Sequence, residues 1–393
     1  MGRLLSRQSY RDILLGIGLL LSTGALIAWP QEAIAAMRDG LDLCGNVIIP
    51  SLFPFFVLSS LVVDLGLSRY LGKLVEPIMA PLFRVNGTCA AALALGFLGG
   101  YPVGARTAIS LYQNGQCTKT EAERMLAFCN NCGPAFILGA VGAGIFGSGQ
   151  MGLLLYFGHL LASLLVGILF RFYRPQDAPR LGRRLGAQFQ ATSFSVAFTQ
   201  SITGALRSLL NICAFILFFT VAIRMLTLSG LLPTLGGLLA CILSPLGLSQ
   251  TWAERLLTGL LELSSGVASL TQGTMGGRLS MAAFMLGWAG VSVHCQVLAF
   301  LGDSGLSLRT YVVGKFLHGL FSAAIAAFLF HLFPMQQPAS AYLVEQTEAI
   351  AHLDFHRALT LSAAAAWGIW LFFLLLAAWM VKKSSRKKLR YGV

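Results

Sequence analysis

Gly96-Phe97-Leu98-Gly99-Gly100-Tyr101-Pro102-Val103-Gly104-Ala105-Arg106 lies inside an apolar segment and decides how the chain is read. Four Gly and one Pro in eleven residues do not make a regular helix cheaply. In a helix interior Gly costs about 1 kcal/mol and Pro about 3. A broken helix in lipid must be buried in protein or line a cavity, because its freed backbone groups find no water. The N–H groups at a half-helix start can hold an anion. Arg106 follows the break by one or two turns and carries a permanent charge. The plainer alternative is a tight helix crossing that needs Gly, with Arg106 reaching to a membrane interface.

The surrounding composition supports a membrane setting. Of 393 residues, 56% are apolar and only 11% charged, and Gly contributes 43. A soluble domain carries about 25% charge. These figures exclude a soluble enzyme, a nucleic-acid-binding domain and a disulfide scaffold. The net charge of +13 does not imply nucleic acid, because it is concentrated beside apolar segments. Arg3, Arg7 and Arg11 precede the first segment, and Arg171, Arg174, Arg180, Arg183 and Arg184 separate two halves. Lys382, Lys383, Arg386, Lys387, Lys388 and Arg390 form the tail. This is the positive-inside pattern, which makes all three stretches cytoplasmic. Cys44, Cys89, Cys213, Cys241 and Cys295 read as small buried hydrophobes. The run Ile13–Trp29 is longer than a signal-peptide core, despite Ala33-Ile34-Ala35 beyond it, and reads as an uncleaved helix.

Apolar segments cover roughly 12–29, 47–66, 70–83, 88–112, 124–147, 151–170, 208–229, 231–247, 252–274, 280–302, 310–333 and 358–381. Several are short or Gly-interrupted, as half-helices and re-entrant hairpins are. Ordered matches relate two halves. Phe55-Phe56 matches Phe218-Phe219, Leu67-Ser68 matches Leu228-Ser229, and Ala80-Pro81-Leu82 matches Ser244-Pro245-Leu246. Gly96–Gly100 falls opposite Leu261–Ser265, Ala127-Phe128 opposite Gly287-Trp288, and Gly158 with Leu161 opposite Gly314 with Leu317. The offset drifts from 161–165 to 160 and then 156, as duplication with small indels produces. An odd number of crossings per copy reconciles the basic 171–184 linker with the acidic 335–356 loop, and inverts one copy relative to the other. The expected fold is therefore an all-α polytopic membrane protein with two inverted repeats of about five segments and a flanking helix at each end. Its parts are a helix and loop at 1–40, a first repeat at 41–174, a cytoplasmic linker at 175–207, a second repeat at 208–334, and an external loop, last helix and tail at 335–393. Inverted repeats place a transporter's site at their interface.

Three further stretches can carry chemistry. Phe128-Cys129-Asn130-Asn131-Cys132-Gly133-Pro134 sets two Asn before a helix break, offering amides and unwound carbonyls to an ion or solute. Its C-x-x-C lacks the second ligand pair of a zinc site and the context of a redox motif. The Asn pair can equally serve interhelical hydrogen bonding. Glu262-Leu263-Ser264-Ser265-Gly266, opposite the first break, places a carboxyl in an apolar segment, where it can bind a cation, carry a proton or pair with Arg106. Ser292 and His294 fall opposite Cys132 and Pro134. His159, Lys315 and His318 lie on the fifth segments and rank behind these. The expected substrate-binding set is Gly99, Gly100, Tyr101, Pro102, Gly104, Arg106, Asn130, Asn131, Gly133, Pro134, Glu262, Ser264, Ser265, Gly266, Ser292 and His294. No nucleotide, protease or hydrolase motif occurs, and no catalytic residue, metal ligand or cofactor is expected.

The Gly-Gly-Tyr-Pro-Val-Gly-Ala-Arg and Asn-Asn-Cys-Gly-Pro-Ala-Phe stretches, with Ile48–Phe55 and Glu262 before Ser264-Ser265-Gly266, resemble the YlbJ (SpoVV) family of sporulation integral membrane proteins. That family sits within the wider nucleoside-recognition, or Gate-domain, membrane proteins. The resemblance spans roughly 40–335 and implies repeats and broken helices similar to those of concentrative nucleoside transporters. It also implies movement of dipicolinate, a flat dianion, from mother cell toward forespore across the outer forespore membrane. The partners implied are a small anionic substrate, the bilayer and other sporulation membrane proteins, and no nucleic acid. A nucleoside carrier and a non-transporting structural protein of the sporulation membrane are the competing readings.

Overall fold

The computed structural model describes residues 7–65, 75–175, 194–302 and 304–333, with the isolated positions 360 and 367. Helix α1 (Arg7–Ala28) leads into α2 (Pro30–Leu43), where Pro30 opens the helix and Glu32 stands in its first turn. A π-turn at Cys44–Ile48 continues α2 into α3 (Ile49–Asp64). The loop expected before residue 40 is therefore helix, tied by an ion pair from Glu32 to Arg224. Pro at a first helical position is well tolerated because its missing N–H would have no partner there.

Next, Val75–Phe83 and Gly87–Gly99 form a pair bent by 115°, ending in α4 (Ala90–Gly99). Helices α5 (Val103–Gln113) and α6 (Lys119–Phe128) follow, then a π-helix at Ala135–Ile145 and the long α7 (Gly149–Phe170). The second half contains α8 (Phe194–Leu228), α9 (Leu231–Leu243), α10 (Gln250–Leu261) and the short α11 (Leu263–Ala268). It closes with α12 (Met275–Trp288), α13 (Gly290–Leu301) and α14 (Leu308–Leu332).

Among the described residues, five helical stretches are long and apolar enough to cross a membrane: Pro30–Leu58, Gly149–Phe170, Phe194–Leu228, Met275–Leu301 and Leu308–Leu332. The bent pair makes a sixth if it is one span. Several of the expected apolar segments are interrupted. Segment 88–112 divides at Gly100–Pro102, 124–147 at Cys129–Gly133, 252–274 at Glu262, and 280–302 at Ala289. On α7, Leu153, Phe157, Leu161, Leu165 and Leu169 point outward at every fourth position, while Gly158, His159, Ala162, Ser163 and Val166 are buried. That stripe is a lipid-facing surface. Cys44, Cys89 and Cys213 are buried as expected, but Cys241 is exposed and Cys295 half-exposed. Cys241 shares the outward face of α9 with Leu238 and Ile242, so it meets lipid instead of core.

Small residues set the packing. Gly96 and Gly104 both press on the Cys129 carbonyl, leaving no room for a Cβ. Gly287 of α12 meets Gly319 of α14, where an added Cβ would lie 2.6 Å from the opposing Cα. At one end of α6, Thr118 and Glu121 form a reciprocal cap, and the buried Arg124 donates to the carbonyls of Arg84, Tyr173 and Arg174. Nearly all of the expected last helix, most of the 171–190 linker, the 335–356 loop, Arg3 and the charged C-terminal tail lie outside the described residues.

Candidate functional site

Two breaks interrupt each half of the chain, and within each half they touch. In the first half, Gly100 (φ 70°) and Gly133 meet backbone to backbone, with an added Cβ on Gly133 only 3.2 Å from Gly100 Cα. In the second half, Ala289 (φ 85°) and Gly290 (φ 81°) turn α12 into α13, and Gly290 lies against Leu261, Glu262 and Leu263. Positive φ favours Gly because a Cβ crowds the backbone there.

Between these breaks lies a pocket. The expected site residues Gly100, Tyr101, Gly133, Glu262, Ser264 and Ser292 line it, with Cys132, Gln296 and apolar walls from Leu52, Phe56, Ile212 and Phe215. A second pocket adjoins it through Phe56, Tyr101, Ile212 and Gln296. Gly99, Pro102 and Arg106 line this one, beside Ser208 and Asn211. Arg106 is exposed, and its guanidinium lies 5.5 Å from the centre of the Phe300 ring.

Arg106 does not pair with Glu262. The Glu262 residue is extended (φ −141°, ψ 122°) and caps α11, its carboxylate accepting from Ser264 N at 3.0 Å and Ser265 N at 2.6 Å. Those two N–H groups have no helical partner, so the carboxylate satisfies them and draws on the positive end of the helix. The protein's own anion thus fills this helix start.

The remaining expected residues sit behind the cavities. Gly104 belongs to the crossing at Cys129, and Gly266 presses on Gly259. Pro134 opens the π-helix, and the Ser265 hydroxyl lies 3.3 Å from that of Thr220. Asn131 Nδ2 donates to Phe128 O at 3.0 Å, closing the end of α6. Asn130 Nδ2 donates to the Tyr311 hydroxyl at 3.2 Å, which lies 2.9 Å from His294 Nδ1. The Oδ1 atoms of both Asn are buried without a protein partner.

The residue that binds this region together is Lys315, which ranked low on sequence. It is fully buried on α14, and its ammonium donates to Asn130 O at 2.8 Å, to the Tyr101 hydroxyl at 3.3 Å and to His318 Nδ1 at 3.3 Å. His318 Nε2 lies 3.0 Å from His159 O, and His159 Nε2 accepts from Cys132 N at 3.0 Å. The Tyr101 hydroxyl donates onward to Leu286 O. Lys315, His318, His159, Tyr311 and Gln296 are the site-forming residues that motif reading did not select.

These interrupted helices around a pocket define a class: an integral, multi-pass, all-helical membrane protein with paired helix breaks. A solved structure of CNTnw in its intermediate 2 state shares the fold, at a TM-score of 0.53 and 16% identity, covering 82% of this chain and 85% of that one. Another, in the intermediate 1 state, aligns at a TM-score of 0.46 and 14% identity, over 81% of this chain and 85% of that one. Residues 47–149 match the Gate family, described as nucleoside recognition. Sporulation integral membrane protein YlbJ of Bacillus subtilis (strain 168) is 30% identical over 328 residues, 79% of this chain and 80% of that protein. The chain belongs to the YlbJ family of sporulation integral membrane proteins.

Proposed function

We propose that the chain is a secondary transporter of a small carboxylate, with dipicolinate, carried from mother cell toward forespore across the outer forespore membrane, as its substrate. The observation that carries this reading is that residues at or beside four helix breaks, Gly100, Gly133, Glu262 and Ser292, line one pocket, with Arg106 on the pocket beside it. An apolar pocket with a few polar groups on its wall suits a small flat ring. A guanidinium fork beside it suits a carboxylate. The matched breaks support two inverted repeats. In that arrangement the linker and both termini are cytoplasmic and 335–356 is external.

A nucleoside carrier is the second reading. It is favoured by the CNT-type fold and by Glu262, Ser264, Ser292 and Gln296 on the main cavity, where ribose hydroxyls could bond. Uptake into vesicles containing the full-length chain, with labelled dipicolinate against labelled uridine, separates the two. Dipicolinate should accumulate and uridine should not. Arg106→Gln should abolish dipicolinate movement at unchanged membrane levels, and Arg106→Lys should restore part of it. Uridine uptake indifferent to Arg106 would establish the nucleoside reading instead. Single-Cys labelling tests the orientation: a Cys in 175–185 reacting from outside intact cells would overturn the inverted repeats.

A further inference from the structure

Every group around the Lys315 ammonium presents an acceptor to it. An ammonium has three donors, and here they meet three acceptors: the Asn130 carbonyl, the Tyr101 hydroxyl oxygen and His318 Nδ1. Two of those acceptors are set from behind. The Tyr101 proton is committed to Leu286 O, leaving its oxygen lone pairs free. His318 Nε2 lies against the His159 carbonyl, so the proton of a neutral ring belongs there and Nδ1 is bare. None of the described carboxylates pairs with Lys315. The Tyr101 ring adds its face, 4.9 Å from Nζ.

Three neutral acceptors, two of them oxygens, thus hold this cation at the unwound end of a helix. The carbonyl end of a helix is its negative pole. In secondary transporters, unwound carbonyls and half-helix C-terminal ends are where sodium ions or protons are held. At the other break the corresponding need, an anion at a helix start, is met by Glu262. We propose that the Lys315 ammonium is a resident cation that takes the place of a mobile sodium ion at the broken end of α6, so that the carrier works without sodium. A second cation at the same carbonyl would meet the ammonium at close range in a medium of low dielectric, where like charges repel strongly. The proposal rests on the transporter reading above.

The test uses purified full-length protein and two readouts. The first is thermal stability in sodium, potassium or choline chloride at equal ionic strength, which needs no solute. The wild-type melting temperature should be the same in all three. Lys315→Ala should melt lower and respond to sodium, and n-propylammonium, the excised part of the side chain, should restore part of the loss. The second readout is dipicolinate uptake by vesicles, which should run at equal rates with a sodium or a potassium gradient. Sodium raising the wild-type melting temperature, or uptake requiring sodium, would overturn the proposal. So would a folded Lys315→Ala that ignores both cations. If Lys315→Ala does not accumulate, the wild-type salt comparison still decides. If dipicolinate moves under neither gradient, the carboxylate reading fails while the stability result still judges the resident cation.

Discussion

The break after α6 and the break after α10 pose opposite electrostatic problems. At Glu262 the exposed backbone is a helix start, two N–H groups pointing into protein, and a carboxylate two and three residues away answers them. At Cys129–Gly133 the exposed backbone is a helix end, and the answer comes from 185 residues away, when Lys315 reaches the Asn130 carbonyl. One break is closed locally, whereas the other joins a local bond from Asn131 to Phe128 O with the distant Lys315. A locally closed break needs nothing but its own sequence to form, whereas the other requires α14 to be in place. The first half of the chain therefore depends on the second for its polar interior.

Reversing the sign at the long-range break should have the largest effect. Lys315→Glu sets a carboxylate against carbonyl oxygen, and an uncompensated buried charge costs about 3–5 kcal/mol. Loss of the monodisperse peak on size exclusion in detergent is the expected outcome, and a normal peak would mean that α14 is not needed to close the break. Glu262→Ala removes both N–H partners and should lower stability by about 2–3 kcal/mol, given about 1–3 for each unsatisfied group and partial repair by water. Glu262→Gln keeps an acceptor and should lose about half as much, so thermal melts of the pair measure how local that closure is. Tyr311→Phe removes the hydroxyl between Asn130 and His294 and should cost about 1 kcal/mol. Ser265→Ala loses one contact to Thr220 and should change stability by at most about 0.5 kcal/mol. If Ser265→Ala costs as much as Tyr311→Phe, the second break also depends on tertiary contacts.

The breaks themselves were legible in the sequence, because Gly, Pro, Asn and Glu inside apolar segments leave few alternatives in lipid. Gly100, Gly133, Glu262 and Ser292 could be grouped before any coordinates, since repeat matching set them opposite one another. Lys315 could not be ranked this way. A single Lys seven residues into a span also suits a side chain that extends to an interface, and sequence does not say which face of α14 packs inward. One signal was present: the offset of 156 that matches Gly158 with Gly314 also sets His159 opposite Lys315, two basic residues in otherwise apolar helices. The supposed Arg106–Glu262 pair failed for a different reason. Helix capping is short-range, and a carboxylate two residues before a helix's N–H groups is committed before a distant guanidinium can compete. The helical character of 30–40 was obscured by the low hydrophobicity of Gln31, Glu32, Arg38 and Asp39.

Tyr101 stands on the wall between the two cavities, together with Phe56, Ile212 and Gln296. The two pockets therefore share four of their lining residues. The Tyr101 hydroxyl accepts from Lys315 and donates to Leu286 O, so the residue that borders both pockets is pinned by the polar network behind them, and a substitution there alters both at once.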